Sequence, residues 1–215
     1  MTGLMLSSLP LLLKGLGVTL LLSVAAIAGG TLLGLLAAVL RVGRQPAGRY
    51  LARVYIELFR GTPVLITLML IYFGVAYFGY NINIFAAGVI GMSVYQGAYI
   101  AEVFRAGIEA VPKGQWEVAL ILGLGRRHTF FSVILPQTGR IVLPPLIGQY
   151  LSLIKDTSII SMIGLSELLH QGQSIVDRVG QPVAVYGLVA VLYFIVCFPL
   201  SRWVQRRDQN RSLLS

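Results

Sequence analysis

The sequence predicts an all-α transmembrane protein, a helical bundle of five spans. Of its 215 residues, 56% are hydrophobic and only 12% are charged, whereas roughly 25% are charged in an average soluble domain. The mean hydropathy is +0.81. Five apolar stretches reach or approach the roughly 20 residues that a helix needs to cross about 30 Å of hydrocarbon. They are 16–40, 62–80, 84–101, 133–154 and 183–203. Membrane barrel strands would be far shorter and would alternate in hydrophobicity.

The five spans are expected to form one membrane domain over residues 1–215, because the sequence contains no linker, low-complexity run or clear repeat. Only Lys14 precedes an apolar run of signal-anchor length, so we expect the first span to be retained. Two connections are long enough to bind other molecules, namely 102–132 and 156–182. We therefore expect partner proteins to contact these two segments.

The order of the basic residues predicts the orientation of the chain. The formal net charge is +9, and thirteen of the 17 basic residues lie within 41–60, 105–127 and 202–211, which the five-span pattern places on one side. The others are Lys14, Lys155 and Arg178 on the opposite side and Arg140 in the fourth span. The positive-inside rule then predicts an external N-terminus and a cytoplasmic C-terminus in a bacterial inner membrane. We attribute the positive charge to this orientation and expect no nucleic-acid partner.

The fourth span carries groups that lipid tolerates poorly. Its prolines, Pro136, Pro144 and Pro145, each lack a backbone donor. On a helical wheel its polar side chains fall on one half; that half contains Gln137, Arg140, Pro144, Gly148, Gln149, Ser152 and Asp156. Such groups occur at membrane depth only where they face protein or a water-filled cavity. This half is therefore predicted to line a pathway or a helix interface, although Arg140 could equally extend to the nearby cytoplasmic surface.

A short helix is predicted at 113–122, within the cytoplasmic connection. Pro112 suits its first turn, and Gly123 and Gly125 suit its end. The helix is too polar at its start to cross the membrane, so we expect it to lie on the cytoplasmic face. A common role for such a segment is an amphipathic helix that anchors a loop to lipid headgroups.

The spacing around this helix resembles the EAA motif of ABC importer permeases. Glu117, Val118 and Ala119 are followed after three residues by Gly123, and after nine more by Val133, with Leu135 and Pro136 closing. Valines replace the middle alanine and the isoleucine of the motif. The resemblance implies that the helix docks into a groove on an ATPase subunit. The implied coupling residues are Gly114, Glu117, Val118, Ala119, Gly123, Leu135 and Pro136.

Two further segments look like those of polar amino-acid permeases of the histidine and glutamine type, and the likeness extends over about 15–203. The first is Arg60, Gly61, Thr62 and Pro63, and the second is Lys155, Asp156, Thr157 and Ser158. With Gln137, Arg140, Gln149 and Ser152, they are the candidate substrate pathway. As alternatives, Thr62 and Pro63 could cap a helix, and Lys155 with Asp156 could form an interfacial salt bridge of small value. Glu57 and Glu102 are expected to pair with neighbouring arginines.

The resemblance implies a permease subunit of an ABC importer for polar amino acids. The expected partners are two cytoplasmic ATP-binding subunits, a periplasmic or extracellular solute-binding protein, and a second copy of the permease or a similar one. ATP hydrolysis is expected on the partners, because a P-loop requires glycine before its lysine and the three lysines here follow Leu13, Pro112 and Ile154. The spans contain no clear buried carboxylate, which favours neutral or acidic amino acids as substrates.

Other functions are consistent with parts of the sequence. A permease of the same architecture could carry another small solute, and a stand-alone channel or ion-coupled carrier would share the membrane spans. Carriers usually have repeated halves, which five spans do not divide into evenly. His128 and His170 are expected on opposite sides of the membrane, so we expect no metal, cofactor or catalytic site.

Overall fold

The computed structural model describes residues 2–43 and 45–212, and the side chains of residues 8–43 and 45–203. Over these residues the chain is helical and contains no strand, which confirms the predicted fold class. The segments are α1 (Thr2–Val42), α2 (Pro46–Gly61), α3 (Val64–Tyr77), α4 (Ile84–Glu109), α5 (Lys113–Ile121), α6 (Arg126–Thr129), a π-helical turn (Phe130–Ile134), α7 (Leu135–Asp156), a 3-10 segment (Thr157–Ile163), α8 (Leu168–Val179) and α9 (Pro182–Ser212). Arg44, and the side chains of Arg206, Arg207 and Arg211, lie outside the described residues.

Within the part of the chain that the structure describes, four stretches are long and apolar enough to cross a membrane. They are Ser8–Val42, Ile84–Glu109, Arg126–Ile163 and Pro182–Trp203. The second expected span, 62–80, differs from the prediction because α3 has only 14 residues, a length of about 21 Å. It forms a bent pair with α2, at an angle of 109°. Pro63 lies at this bend, and its missing N–H prevents α2 from continuing as a regular helix.

The centre of the bundle is a close parallel contact between α1 and α4. Gly34 faces Ile100, and a Cβ atom on Gly34 would lie 2.6 Å from the Ile100 Cγ2 atom. Gly29 faces Ser93 in the same way, at 2.4 Å from its Oγ atom. Small residues at such positions let two membrane helices approach closely, which increases their van der Waals contact. These two helices therefore form a rigid support for the residues on the free faces of α4.

The π-helical turn lies directly before Pro136, the first of the three prolines in α7. The backbone N–H of Leu135 donates to the carbonyl of Phe130, an i to i−5 bond, just before Pro136. A π turn places one extra residue in the helix at the point where a proline supplies no N–H. The chain then stays helical through Pro144 and Pro145. The prolines of the fourth span therefore do not break α7, and the change in helix type lies beside the first of them.

Among the described residues, a small apolar cluster of Ala37, Ile56 and Ala101 holds α2, and two larger clusters hold other elements in place. Of these two, the first joins α1, α3, α4, α7 and the 3-10 segment; its buried members include Leu22, Leu68, Met92, Leu153 and Ile160. The second joins the start of α1 to α8 and α9; its buried members are Leu12, Leu168, Ile175, Val185 and Val189. The second cluster attaches α8 to the bundle at the end opposite α5.

Candidate functional site

A line of polar side chains runs along one face of α4. It contains Tyr95, Tyr99, Glu102, Arg105 and Glu109, which recur at helical spacing and therefore share a face. The Tyr95 and Tyr99 hydroxyls lie 3.1 Å apart. Arg105 donates from Nε to Glu102 at 2.9 Å and also pairs with Glu109. We call these five residues the polar stripe; four of them are half-buried in the single chain, and Glu109 is exposed.

Arg60 joins the polar stripe from the end of α2. Its guanidinium lies 3.6 Å from Glu102 and 5.6 Å from the centre of the Tyr99 ring. The bend after α2 brings this predicted pathway residue onto α4, where a carboxylate and an aromatic face both attract it. The expected pairing of Glu102 with neighbouring arginines is confirmed, as is that of Glu57, whose oxygen lies 3.9 Å from Arg53 Nε.

Thr62 is the C-cap residue of α2, and it does not cap α3. Its hydroxyl donates to the Leu58 carbonyl at 2.8 Å, and Pro63 occupies the N-cap position of α3 without a side-chain hydrogen bond. The alternative in which Thr62 caps the second span is therefore wrong. Gly61 is the last residue of α2 and is exposed, with open space around it.

A pair of glutamines links α4 to α7 beside the stripe. The Gln96 side chain is 3% exposed, and its amide nitrogen donates to the Gln149 backbone carbonyl at 2.9 Å and to the Gln149 side-chain oxygen at 3.2 Å. Gln149 was predicted as a pathway residue, and its polar partner lies on α4. At the next residue, the Tyr150 hydroxyl lies 2.8 Å from the Thr31 hydroxyl of α1.

The end of α7 divides its predicted site residues between two environments. Asp156 is half-buried and close enough to Tyr95 to interact with it electrostatically, whereas Lys155 is exposed. Within the described residues, no Lys155 nitrogen lies within 4 Å of an Asp156 oxygen, so the structure lacks the alternative salt bridge. Thr157 is buried and donates to the Ile154 carbonyl at 2.7 Å. Ser152 and Ser158 are half-buried.

The two remaining predicted pathway residues lie towards the α5 end of α7. Arg140 is exposed. Gln137 donates to the Val133 carbonyl at 3.0 Å and to the Gln115 side chain of α5 at 3.4 Å. Gln137 thus connects the start of α7 to the helix that carries the EAA-like motif.

The helix α5 matches the predicted short cytoplasmic helix to within one residue at its end. It ends in a Schellman motif, because Leu124 donates to the Ala119 carbonyl and Gly123 to the Leu120 carbonyl, both at 3.0 Å. Gly123 has φ +80°, a conformation that glycine adopts without strain. The backbone conformation at the end of α5 therefore explains why the motif has glycine at position 123.

One side of α5 faces the bundle and the other is free. Ala119 is 4% exposed, and the Trp116 ring stacks on Phe130 with centroids 6.4 Å apart. Val118, Ile121 and Leu122 are 57%, 83% and 73% exposed. Glu117 and Gly114 are also exposed. Among the other motif residues, Leu135 and Pro136 begin α7 and are exposed.

Glu167 organises the opposite end of the bundle. Its carboxylate is fully buried and accepts from the backbone N–H groups of Leu169 and His170 at 2.9 and 2.8 Å. Thr19 of α1 and Tyr193 of α9 also donate to it, at 3.3 and 3.2 Å. Burial raises the pKa of Glu167, and these donated bonds oppose that increase.

Several of these residues were not among those predicted from the sequence. Tyr95, Gln96 and Tyr99 lie in a span that was considered only for its length and hydropathy, and Glu167 lies in the connection after the fourth span, beyond the last predicted pathway residue. A helical wheel continued from the third span to Glu109 would have found the stripe, because its polar residues share one face. For Glu167, only its N-cap bonds to Leu169 and His170 are local, and no sequence pattern predicts its bonds to Thr19 and Tyr193, which are 148 and 26 residues away.

Comparison with known proteins agrees with this arrangement. A family of binding-protein-dependent transport system inner membrane components matches residues 30–211. The chain belongs to this family. Such components are membrane permeases, so the chain is a multi-pass membrane protein of an ABC transporter, in agreement with the expected family.

The relatives of this permease share nearly its full length. It is 40% identical over 196 residues to the probable amino-acid ABC transporter permease protein YckA of Bacillus subtilis strain 168, covering 91% of this chain and 87% of that protein. It is 39% identical over 209 residues to the glutamine transport system permease protein GlnP of Escherichia coli strain K12, covering 96% and 95%. A crystal structure of an amino acid ABC transporter with histidines has a TM-score of 0.92, 35% identity and 96% coverage of both chains.

Proposed function

We propose that this permease takes up polar amino acids, with energy from ATP that two cytoplasmic subunits hydrolyse. The observation that carries the proposal is the arrangement of α5. One side of this helix is anchored to the base of α7, and the other presents Val118, Ile121 and Leu122 to the surroundings. An exposed apolar group of this kind fits a protein partner. The ATP-binding subunit is that partner, and a solute-binding protein docks at the opposite end, near α8.

The contacts of α5 provide a route for coupling. Trp116 packs on Phe130 and Gln115 is joined to Gln137, so a displacement of α5 moves the π-helical turn and the start of α7. That helix carries Gln149 and Asp156 at its other end. ATP binding changes access to the pathway only if the contacts between α5 and the ATP-binding subunit differ between the ATP-free and ATP-bound states. The attachment of α5 to α7 transmits that difference.

The polar stripe and its neighbours suit an amino acid. Arg60 matches the α-carboxylate of the substrate, and Asp156 matches its ammonium group. Gln149 and the two tyrosines offer donors and acceptors to a polar side chain. The family relatives support this substrate class, since one of them is described as a glutamine permease and another as an amino-acid permease.

A second permease completes the pathway. In the single chain, Tyr95, Tyr99 and Glu102 are only half-buried, although polar groups at membrane depth have to face protein or water. A second copy or a similar subunit that covers this face would enclose them in a shared cavity. The α5 end then faces the cytoplasm of a bacterial inner membrane, as the positive-inside rule requires.

The experiment that tests this function changes the free side of α5. Ile121→Asp adds a charge at a position that is 83% exposed and contributes no buried contact to the permease. The variant is expected to remain in the membrane but to lose co-purification with the ATP-binding subunit and amino-acid uptake. The readouts are the amount of ATPase bound to the tagged permease and the uptake of labelled glutamine into proteoliposomes.

Val183→Asp is the matched control. Val183 is 88% exposed at the other end of the bundle, in the first turn of α9, where the helix dipole favours an acidic residue. This variant is expected to bind the ATPase normally. Normal ATPase binding and uptake by Ile121→Asp would refute the docking role of α5. If the wild-type permease binds the ATPase but takes up no amino acid, the proposed substrate class is refuted and the docking role of α5 is not.

A further inference from the structure

Four arginines surround one cavity at the α5 end of the bundle. The cavity has a volume of about 700 Å³ and is lined by Arg41, Arg49, Arg53 and Arg105, with Glu109 as its only acidic lining residue among those described. Arg105 is neutralised by Glu102 and Glu109. Arg53 has an exposed partner in Glu57, a kind of pair that contributes little.

Arg41 and Arg49 differ from Arg53 and Arg105, although Arg41 interacts with Glu102 at longer range. Within the described part of the chain, neither has a carboxylate oxygen within 4 Å. Two such guanidinium groups beside two further arginines repel one another, and the repulsion is stronger near the low-dielectric membrane. A bound anion would relieve it. Guanidinium groups bind phosphate oxygens in bidentate geometry, so phosphate is the anion that this group of residues suits best.

An apolar groove continues from this cavity. It has a volume of about 520 Å³ and shares Val42 and Ile108 with the arginine-lined cavity. Its walls include Leu35, Val39 and Phe131, which are 39%, 70% and 56% exposed. Leu35 precedes Arg41 by six residues, a rise of about 9 Å along α1. The groove therefore extends from the arginines towards the membrane interior.

A second basic cavity borders the other side of the groove. It has a volume of about 840 Å³ and contains Arg126 and Arg127, together with Trp116 of α5. The groove and this cavity share Phe130 and Phe131. A molecule in the groove would thus contact the π-helical turn on which α5 packs.

We propose that the arginine-lined cavity and the apolar groove form a binding site for an anionic phospholipid. The phosphate lies among Arg41, Arg49 and Arg53, and the upper part of an acyl chain lies along Leu35, Val39 and Phe131. A soluble phosphate compound would use the cavity but leave the groove uncovered, whereas a phospholipid fills both. The lipid then packs against the π-helical turn and thereby stabilises the position of α5. Basic pockets between membrane helices on the cytoplasmic side are suited to such headgroups.

The test measures lipid binding to the assembled complex of permease and ATP-binding subunits by native mass spectrometry. The probes are dioleoyl-phosphatidylglycerol and dioleoyl-phosphatidylcholine at equal concentrations. The variant Arg41→Gln/Arg49→Gln is compared with Lys14→Gln/Arg178→Gln, which removes the same charge from the other end of the chain. One basic residue near a membrane surface contributes roughly fivefold to binding of an anionic lipid, so the first variant is expected to lose about 25-fold and the second to lose nothing.

Two further measurements separate a lipid from other occupants. Val39→Trp fills the groove while all four arginines remain, and it is expected to weaken phosphatidylglycerol binding at least about fivefold without changing the thermal stability of the complex. Glycerol 3-phosphate at millimolar concentration is expected not to compete. Equal binding of the two lipids, equal loss in both charge variants, or full competition by glycerol 3-phosphate would overturn the proposal. Release of the lipid when the ATP-binding subunits assemble would also overturn it, because the cavity would then belong to the protein interface.

Discussion

The side-chain nitrogen of Gln96 lies 2.9 Å from the backbone carbonyl of Gln149 and 3.2 Å from its side-chain oxygen. This one buried amide ties α4 to α7, the two helices that carry most of the candidate pathway. Only one of the two bonds depends on the side chain of Gln149. A substitution there can therefore remove a polar group from the pathway and keep the contact between the helices.

Gln149→Leu is expected to weaken uptake and leave the fold intact. The Gln96 amide still has the backbone carbonyl of residue 149, and leucine is well tolerated in a membrane helix. Loss of a polar contact to a buried solute costs about 1 to 3 kcal/mol, so the apparent affinity for the transported amino acid should fall roughly 5- to 150-fold. The measurement is concentration-dependent uptake into proteoliposomes. Gln181→Leu, at the start of α9, is the control and should transport normally. Wild-type affinity for every amino acid in Gln149→Leu would mean that this residue serves helix packing alone.

Gly123→Ala is expected to loosen the end of α5. An alanine at φ +80° is strained by about 1 kcal/mol, which weakens the Schellman motif and the hold of α5 on the bundle. Gly125 has φ −62° and open space around it, so Gly125→Ala should be harmless. Substrate-stimulated ATP hydrolysis in the reconstituted complex is the measurement, and only Gly123→Ala should reduce it. An equal effect of the two substitutions would contradict a special role for the positive φ angle.

Glu167→Ala is expected to lower the thermal stability of the permease. The change leaves four donors without their acceptor, and an unpaired buried donor costs about 1 to 3 kcal/mol. Thermal unfolding in detergent measures the loss, and Glu117→Ala, at an exposed position, is the control. If the two alanine variants unfold at the same temperature, the Glu167 network contributes nothing to stability.

The same carboxylate predicts a pH dependence. Burial raises the pKa of Glu167, so the folded state binds its proton more tightly than the unfolded state does. The stabilising contribution of protonation is present below the ordinary pKa and decreases as the pH rises through the raised value. Glu167→Gln should therefore flatten the dependence of the unfolding temperature on pH. A slope identical to that of the wild-type protein would contradict this assignment.

The orientation predicts opposite labelling of two acidic positions. Asp177 on α8 and Glu117 on α5 are both exposed and lie at opposite ends of the bundle. In a Cys197→Ser background, Asp177→Cys should react with an impermeant thiol reagent added to intact cells. Glu117→Cys should react only after the membrane is opened. The reverse result would overturn the orientation and would place α5 on the wrong side for an ATP-binding partner.

Much of this protein follows from local sequence. Hydropathy over windows of about 20 residues identifies membrane helices because each span has to satisfy its own backbone within lipid. The short helix α5 was also predictable, since Pro112 and Gly123 are local signals for its start and end. Residue types at fixed spacing around Glu117 were sufficient to indicate the family.

Tertiary structure decided which polar residues meet. Arg60 pairs with Glu102 because of the bend at Pro63, and Glu167 collects donors from α1 and α9 through packing of distant segments. Neither contact produces a periodic pattern in the sequence. Contacts between helices depend on how the helices cross, and a short stretch of sequence does not contain that information. The side of α5 that faces the bundle could likewise not be read from the sequence. Ala119 and Val118 are neighbours in one motif, and only the packing of α5 on the rest of the chain buries the first and leaves the second exposed.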